Sequence, residues 1–379
     1  MDLKFKNYST SFENELNALF FDSVFKHREE YEYVKEHSWI DRYKNEPSSI
    51  QLLAINEKKL VASIGIIPIE TRMENKIYKG GCFVDNCTST KYDMTKNEIT
   101  FAIFNELEKL MISKKYDFLI GWDYIKNKNN YSKLIKENDY LSKEGVNWIS
   151  GGFEHIKNSP TKWRAGKTLL IEFILMKLYN RVKLALIKNY KDIKVRLIKN
   201  SDYLQISKLM PLCYPNDLII NYTKKTFSDL SKKYIMSGIV LEKKGTIIAA
   251  APFQIGSWSG WMYGNPSLTE DWEIFNTILP ETIVIDPKFM DTDIPELLSA
   301  TLVKENQKNN SPIQTNGFVT DVFDTNISWR KKAHINAGYL EPNIDLGMYV
   351  IKSFNKKLEF NKNQVWHIPP RNIISPLLK

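Results

Sequence analysis

The sequence predicts an α/β protein with mixed sheets, built as two like domains in tandem. Three observations carry this. The 379-residue chain exceeds the size at which one core keeps growing. Strand and helix signals alternate in both halves. The second half repeats the order of the first. At 43% hydrophobic and 12% aromatic residues, the chain can fill two cores.

In the first half, LKFKNY (3–8) opens a sheet and two helical stretches follow over 11–43. SIQLLAINE and LVASIGIIPIET read as an apolar strand pair turning at Glu57-Lys58-Lys59. GCFVDNCTS (81–89) is the next strand. Ile99, Ile103, Leu107, Leu110 and Met111 then recur at helical spacing behind the polar lead Lys96-Asn97-Glu98. FLIGW (118–122) is a short buried strand, a helix follows over 130–137, and GVNWISGGF closes the set at a Gly-Gly break.

A long helix over 165–190 bridges the halves, with enough apolar positions to pack between them. IKVRLIK (193–199) restarts the pattern, and two helices lie within 202–234. GIVLEKKGTIIAAAPFQIG is a hairpin turning at Lys244-Gly245. ETIVID (281–286) is a strand, and Ile294, Leu298 and Leu302 mark a helix face. GFVTDVFD, a helix over 327–337 and a closing strand at GMYVIK complete the repeat. The expected organisation is therefore a first domain over 1–160, a connecting helix over 161–191, a second domain over 192–355 and a tail over 356–379. A repeat this long means duplicated domains, since solenoid units span roughly 20–50 residues.

The composition narrows the function classes. The net charge of +9 comes from lysine and arginine spread along the chain, with no basic arm and no nucleic-acid motif. Solvated surface lysine accounts for it, and no nucleic-acid partner is expected. Cys82, Cys87 and Cys213 are odd in number and lack a CxxC pair, so neither a disulfide framework nor a zinc site is expected. The five histidines have no metal-ligand spacing, and no metal is implied. The opening MDLKFKNYST lacks the apolar core of a signal peptide. The most apolar stretch, 169–187, carries Glu172, Lys177, Arg181 and Lys183 and reads as a soluble helix. The expectation is a cytoplasmic protein, monomer or homodimer, without a membrane partner.

The order of strand, two helices, hairpin, strand, helix, strand, helix and closing strands resembles the GNAT (Gcn5-related N-acetyltransferase) superfamily, over 8–155 and 193–352. IDPKFMDTDIPELL (285–298) is similar to the family's cofactor segment in length and apolar pattern. NAGYL (336–340), with Asn326, resembles its last helix end and loop asparagine. VDNCTSTKYDMTKNEITFAIF is the first-half counterpart, and NNYSKLIKENDYL resembles the later helix. The resemblance implies two acyl-CoA N-acyltransferase domains, with acetyl-CoA as co-substrate.

In such a segment, backbone amides at a helix N-terminus cradle a pyrophosphate and glycines allow close approach. Neither half keeps the glycines. The second half has Met290 at the family's Arg position and Asp291 and Asp293 at two of its glycine positions, with Pro295 after them, which suits an ordinary acidic helix start. In the first half Lys96 supplies charge, Asn97 tolerates left-handed backbone, and Thr95 and Thr100 add hydroxyls. The cofactor is therefore expected in the first half. Cys87, Thr88, Thr95, Lys96, Asn97, Glu98, Ile99, Thr100 and Asn130 are its candidate residues.

The resemblance lays the thioester against Phe83 to Thr88. Strict alternation would put Phe83, Asp85 and Cys87 on one face and Val84, Asn86 and Thr88 on the other. Asp85 is the candidate general base or amine-docking group; the other reading pairs it with a nearby lysine or backbone amide. Tyr131 is the candidate acid for the leaving thiolate, or else a packed core tyrosine. Trp122, Asp123 and Tyr124 suit a cationic amine. Cys87 has no adjacent group to activate it as a nucleophile. His334 reads as a surface helix histidine. The reading is an acetyl-CoA-dependent N-acetyltransferase acting on a small cationic amine. Its layout is similar to self-resistance acetyltransferases for aminopolyol and peptide antibiotics of the zwittermicin and paenilamicin kind. The same fold with the cofactor in the second half, a Fem-like aminoacyl transferase and a binding module with decayed cofactor loops stay open.

Overall fold

In the computed structural model the described residues are 2–24, 48–89, 91, 96–124, 131–151, 178, 192–233, 236–261, 272–307, 318–324, 327–337, 347–368 and 374–376. The bridging helix, apart from Leu178, lies outside them, as do Thr95, Asn130 and Asn326.

In the first half, β1 (Leu3–Asn7) pairs with β2 (Ile50–Asn56), which turns into β3 (Lys59–Met73) and then β4 (Lys76–Thr88). The two turns hold Glu57-Lys58 and Glu74-Asn75 at positive φ, the geometry whose twist matches right-handed strands. α1 (Glu13–Val24) and α2 (Lys96–Ser113) cover opposite faces. Leu16 and Leu19 pack with Leu53, whereas Ile99, Ile103 and Leu107 pack with Leu52, Ala54, Ile64 and Ile66. The alternation of Leu52, Leu53 and Ala54 along β2 is what divides them. Ile103, Leu107 and Met111 are wholly buried, each stabilising the fold by about 1.5–3 kcal/mol relative to exposure. β5 (Phe118–Tyr124), α3 (Ser132–Glu137) and β6 (Leu141–Gly151) follow.

The second half runs β7 (Ile193–Leu197), α4 (Tyr203–Cys213), β8 (Leu218–Ile220), α5 (Lys224–Lys233), β9 (Met236–Lys243) and β10 (Thr246–Trp261). It continues with β11 (Trp272–Pro280), β12 (Val284–Ile285), α6 (Ile294–Gln307), β13 (Phe318–Asp324), α7 (Ser328–Asn336) and β14 (Gly347–Ser353). The strand expected over 281–286 is reduced to Val284–Ile285, and the longer strand β11 lies upstream. Tyr222 and Tyr214 bond to Glu281 and to the Ile283 carbonyl, which holds that stretch out of the ladder.

One sheet joins the halves, in the order β1-β2-β3-β4-β5-β14-β6-β13-β11-β10-β9-β7. At its centre the closing strands are exchanged. β14 lies antiparallel between β5 and β6, and β6 lies antiparallel beside β13. Alternation along β14 sends Met348 and Val350 into the core under α2, and Tyr349 and Ile351 into the core that spans both halves. A strand buried on both faces reads as a continuous apolar run, as MYVI does.

A second stitch is made by the tail. β15 (Trp366–His367) pairs with β8, and β8 pairs with Thr71 and Arg72 of β3. Trp366 is fully buried, and Lys143 of β6 donates to the Gln364 carbonyl at 2.7 Å with its ammonium 5.2 Å from the Trp366 ring centroid. β16 (Ile374–Pro376) then adds to β10. The tail is thus woven into the sheet at β8 and at β10.

Candidate active site

β4 sits between β3 and β5, and it leaves β5 partway along. Their parallel ladder runs from Gly80↔Phe118 to Phe83↔Gly121 and stops, although β4 continues to Thr88 and β5 to Tyr124. Each end of the ladder sets an aromatic ring over a glycine. A Cβ on Gly80 would lie 2.2 Å from the Phe118 ring, and one on Gly121 would lie 2.2 Å from the Phe83 ring. Glycine is required at both places by this close approach.

Beyond Phe83, β4 bulges. Between the pairs Gly65↔Val84 and Ser63↔Cys87, Asp85 and Asn86 oppose Ile64 alone. An extra residue bends its strand and removes it from the ladder. β4 and β5 therefore part at the bulge, leaving its backbone amides on the β5 side without a strand partner among the described residues.

The bulge also overturns the expected faces. The Asn86 amide donates to the Tyr131 hydroxyl at 3.0 Å. Tyr131 stacks on Phe83, with centroids 6.2 Å apart, and meets Phe104 edge-on at 6.0 Å. Asn86 thus shares a side with Phe83. Cys87 turns to the other side, among Leu16, Leu19 and Leu53, with its thiol donating to Ser63 Oγ at 3.8 Å. One inserted residue shifts the alternation by one, which strict period-2 reading cannot register. Asn86 Oδ1 is left without a hydrogen-bond partner among the described residues.

Asn86 is the site residue that the sequence reading passed over. Its signal was a poor strand former inside an apolar strand. Tyr131 is fully buried at the N-terminal end of α3 and reaches the bulge. Asp85 stands in the bulge itself. Trp122, Asp123 and Tyr124 continue β5 past the parting and pair with Tyr349, Met348 and Gly347 of β14.

The loop from the bulge leads to α2, whose first residue is Lys96. Asn97 and Glu98 are exposed there. The Glu98 carboxylate accepts from Lys133 of α3 at 2.6 Å, so its charge is matched at the helix N-terminus. That bond is the main reason the Lys133 pKa is raised. Ile99 and Thr100 are 1% exposed, with side chains turned inward, so they face the loop only through their backbone amides. Thr88 is buried at the end of β4, opposite Ala62.

The second half repeats the device. The β11–β13 ladder covers Thr277↔Phe318 and Ile278↔Val319. Between Phe253↔Pro280 and Ala250↔Val284, Glu281, Thr282 and Ile283 oppose Ala251 and Pro252, again one residue too many. Here two tyrosines engage the bulge. The buried Glu281 carboxylate accepts from the Tyr222 hydroxyl, and Tyr214 donates to the Ile283 carbonyl at 2.6 Å. The following helix caps itself, since the Ile294 amide donates to Thr292 Oγ1 at 3.3 Å and Pro295 has no N–H. His334 departs from its expected surface position. It is wholly buried, with Nδ1 3.0 Å from Ser299 Oγ, because α7 turns that face onto α6. Burial also pushes the Cys213 thiol up to about 12, which makes it inert.

The first-half arrangement brings together a bend whose amides have no strand partner among the described residues, a buried phenol held by an amide and a helix N-terminus. Such a set can polarise a carbonyl and receive an anion. No protein-family profile and no curated protein matches the sequence. Among solved structures, N-myristoyltransferase from Saccharomyces cerevisiae with bound myristoyl-CoA overlays with a TM-score of 0.53 at 10% identity, covering 97% of this chain and 85% of that one. Another structure of that enzyme gives 0.54 at 12% identity, with 97% and 88% covered. A GCN5-related N-acetyltransferase from Anabaena variabilis gives a looser overlay, 0.47 at 9% identity, with 92% and 72% covered. The chain has the N-acyltransferase fold over nearly its whole length.

Proposed function

We propose that this protein transfers an acyl group from a CoA thioester to an amine, with the donor bound in the first half. The observation that carries the proposal is the coincidence of three features at one point: the β4 bulge, the end of the β4–β5 ladder, and Tyr131 held by Asn86. The neighbouring N-myristoyltransferase, solved with myristoyl-CoA, supports a CoA thioester as donor.

In this reading the thioester carbonyl lies at the bulge, where preorganised amides stabilise the oxyanion. Asp85 takes a proton from the acceptor ammonium, leaving the neutral amine to attack. The new C–N bond forms as the C–S bond breaks, Tyr131 gives its proton to the departing sulfur, and the surplus proton on the acylated nitrogen restores the Tyr131 phenol. The pyrophosphate sits at the start of α2, held by Thr95, Lys96 and Asn97 and the amides of Glu98, Ile99 and Thr100, with Thr88 and Asn130 along the approach; Cys87, turned to the other side, takes no part. Trp122, Asp123 and Tyr124 hold the acceptor's charge.

The acyl group is acetyl. The Phe83 ring fills the space in front of Gly121, so the end of the opening has little room for a longer chain. The acceptor is a small cationic compound, of the aminopolyol or peptide antibiotic kind, and acetylation removes the charge by which it grips its target. The test is release of CoA thiol from acetyl-CoA with a panel of such amines. Turnover by wild type that falls at least about a hundredfold in Asp85→Asn supports the assignment. Unchanged turnover in that variant removes Asp85 from the reaction.

A further inference from the structure

At the second-half bulge, β11 leaves both of its neighbours at one point. Pairing with β13 ends at Ile278↔Val319, and pairing with β10 breaks after Phe253↔Pro280. Two polar side chains flank this break. Gln254 of β10 pairs with Leu279, next to the last pair Phe253↔Pro280, and Thr282 stands inside the break. They are 1% and 0% exposed. Among the described residues neither amide atom of Gln254 has a hydrogen-bond partner, and neither does the Thr282 hydroxyl.

Orphaned polar atoms are rare in folded interiors because each forfeits its bonds to water without replacement. Three of them at one break in the ladder call for a bound group that completes them. We infer that the second-half break binds a neutral group that both donates and accepts, a carboxamide or peptide unit. The Gln254 amide presents N–H and C=O side by side, which matches another amide in two antiparallel hydrogen bonds, and the Thr282 hydroxyl adds a third. Charged ligands fit less well. The Glu281 carboxylate is already engaged by Tyr222, and Asp291 and Asp293, exposed on the next turn, repel an anion. The same half that lacks a cradle for pyrophosphate thus keeps a site for a polar, uncharged group.

Assigning that group to the acceptor rests on the acyl-transfer reading above; the amide site itself does not. The test uses saturation-transfer NMR on the full chain, with acetamide as probe and methyl acetate, which lacks the N–H, as control. Wild type is expected to pass saturation to acetamide and not to methyl acetate. Gln254→Leu and Thr282→Val should each weaken that binding roughly tenfold. They should also raise the melting temperature of the free protein by about 2 °C, because an orphan has been removed. A lower melting temperature in either variant would show the group satisfied within the fold and overturn the inference. So would saturation reaching methyl acetate as well as acetamide, or neither. If Gln254→Leu does not fold, Thr282→Val keeps the original shape and gives the answer alone. None of these readings involves acetyl-CoA, so failure here leaves the first-half proposal standing, and failure of acetyl-CoA binding leaves this one.

Discussion

In the first half the bulge opposite Ile64 is served by Asn86 and Tyr131, while in the second the bulge after Pro280 is filled by Glu281 with Tyr222 and by Ile283 with Tyr214. The backbone device is the same, a fourth strand with one residue too many beside a fifth strand that stops pairing. The contacts around it differ. One bulge leads to a helix whose first carboxylate is neutralised by Lys133, the other to a helix that caps itself through Thr292. The two halves share the backbone frame, and a few side chains decide how each bulge is engaged.

The largest effect that sharpens this contrast comes from its two tyrosines. Tyr131→Phe should lower the rate of acyl transfer by about 10²–10⁴ while leaving acetyl-CoA affinity nearly unchanged, as seen in steady-state kinetics beside calorimetry. Tyr222→Phe should leave acetyl-CoA affinity unchanged and lower stability, because Glu281 loses its buried donor. Equal losses of rate from both would erase the distinction between the halves.

Next in size is Trp366→Ala, which attacks the feature that the halves share. Trp366 is 0% exposed in the strand that stitches β8, itself paired to β3, to the tail. Removing it should cost about 3–5 kcal/mol in urea unfolding, in a single transition. Two separated transitions would mean that the halves unfold independently despite their exchanged strands.

How much of this was legible beforehand depends on what each feature needs. The face of α2 was readable because Ile99, Ile103, Leu107 and Met111 carry its period locally, and all are buried. The hairpin at Lys244-Gly245 was readable from its turn residues, with Gly245 at φ 80°. The exchange of β6 and β14 was not, since an apolar run such as MYVI looks the same whichever sheet receives it. Neither bulge was legible, because an extra residue exists only relative to a partner strand far away in sequence. Hence strict alternation sets Cys87 beside Asp85 and Phe83 when its thiol faces α1, and sets Asn86 on the face away from Phe83 when it reaches Tyr131.

A moderate effect is expected at Phe83. Phe83→Leu should keep the fold but clear part of the space before Gly121, shifting the preference for butyryl-CoA over acetyl-CoA by about tenfold in kcat/KM. An unchanged preference would move the acyl pocket elsewhere.

The smallest effect lies in the second half. Burial opposes ionisation of Asp202, but Arg196 at 2.6 Å and the Lys199 amide outweigh it and hold its pKa below the ordinary value. A depressed carboxylate stabilises the fold above its unfolded pKa and loses that contribution as pH falls through the folded one. Asp202→Asn should therefore cost roughly 1 kcal/mol at neutral pH. The difference from wild type should shrink below about pH 3.8, in urea melts taken across that range.

The most direct measurement is calorimetric titration of acetyl-CoA into wild type, into Lys96→Glu with Asn97→Asp, and into Asp291→Lys. The account predicts binding to wild type, at least about tenfold weaker binding after the first-half change, and unaltered binding in Asp291→Lys. No binding to wild type, or binding lost only through Asp291→Lys, would contradict it.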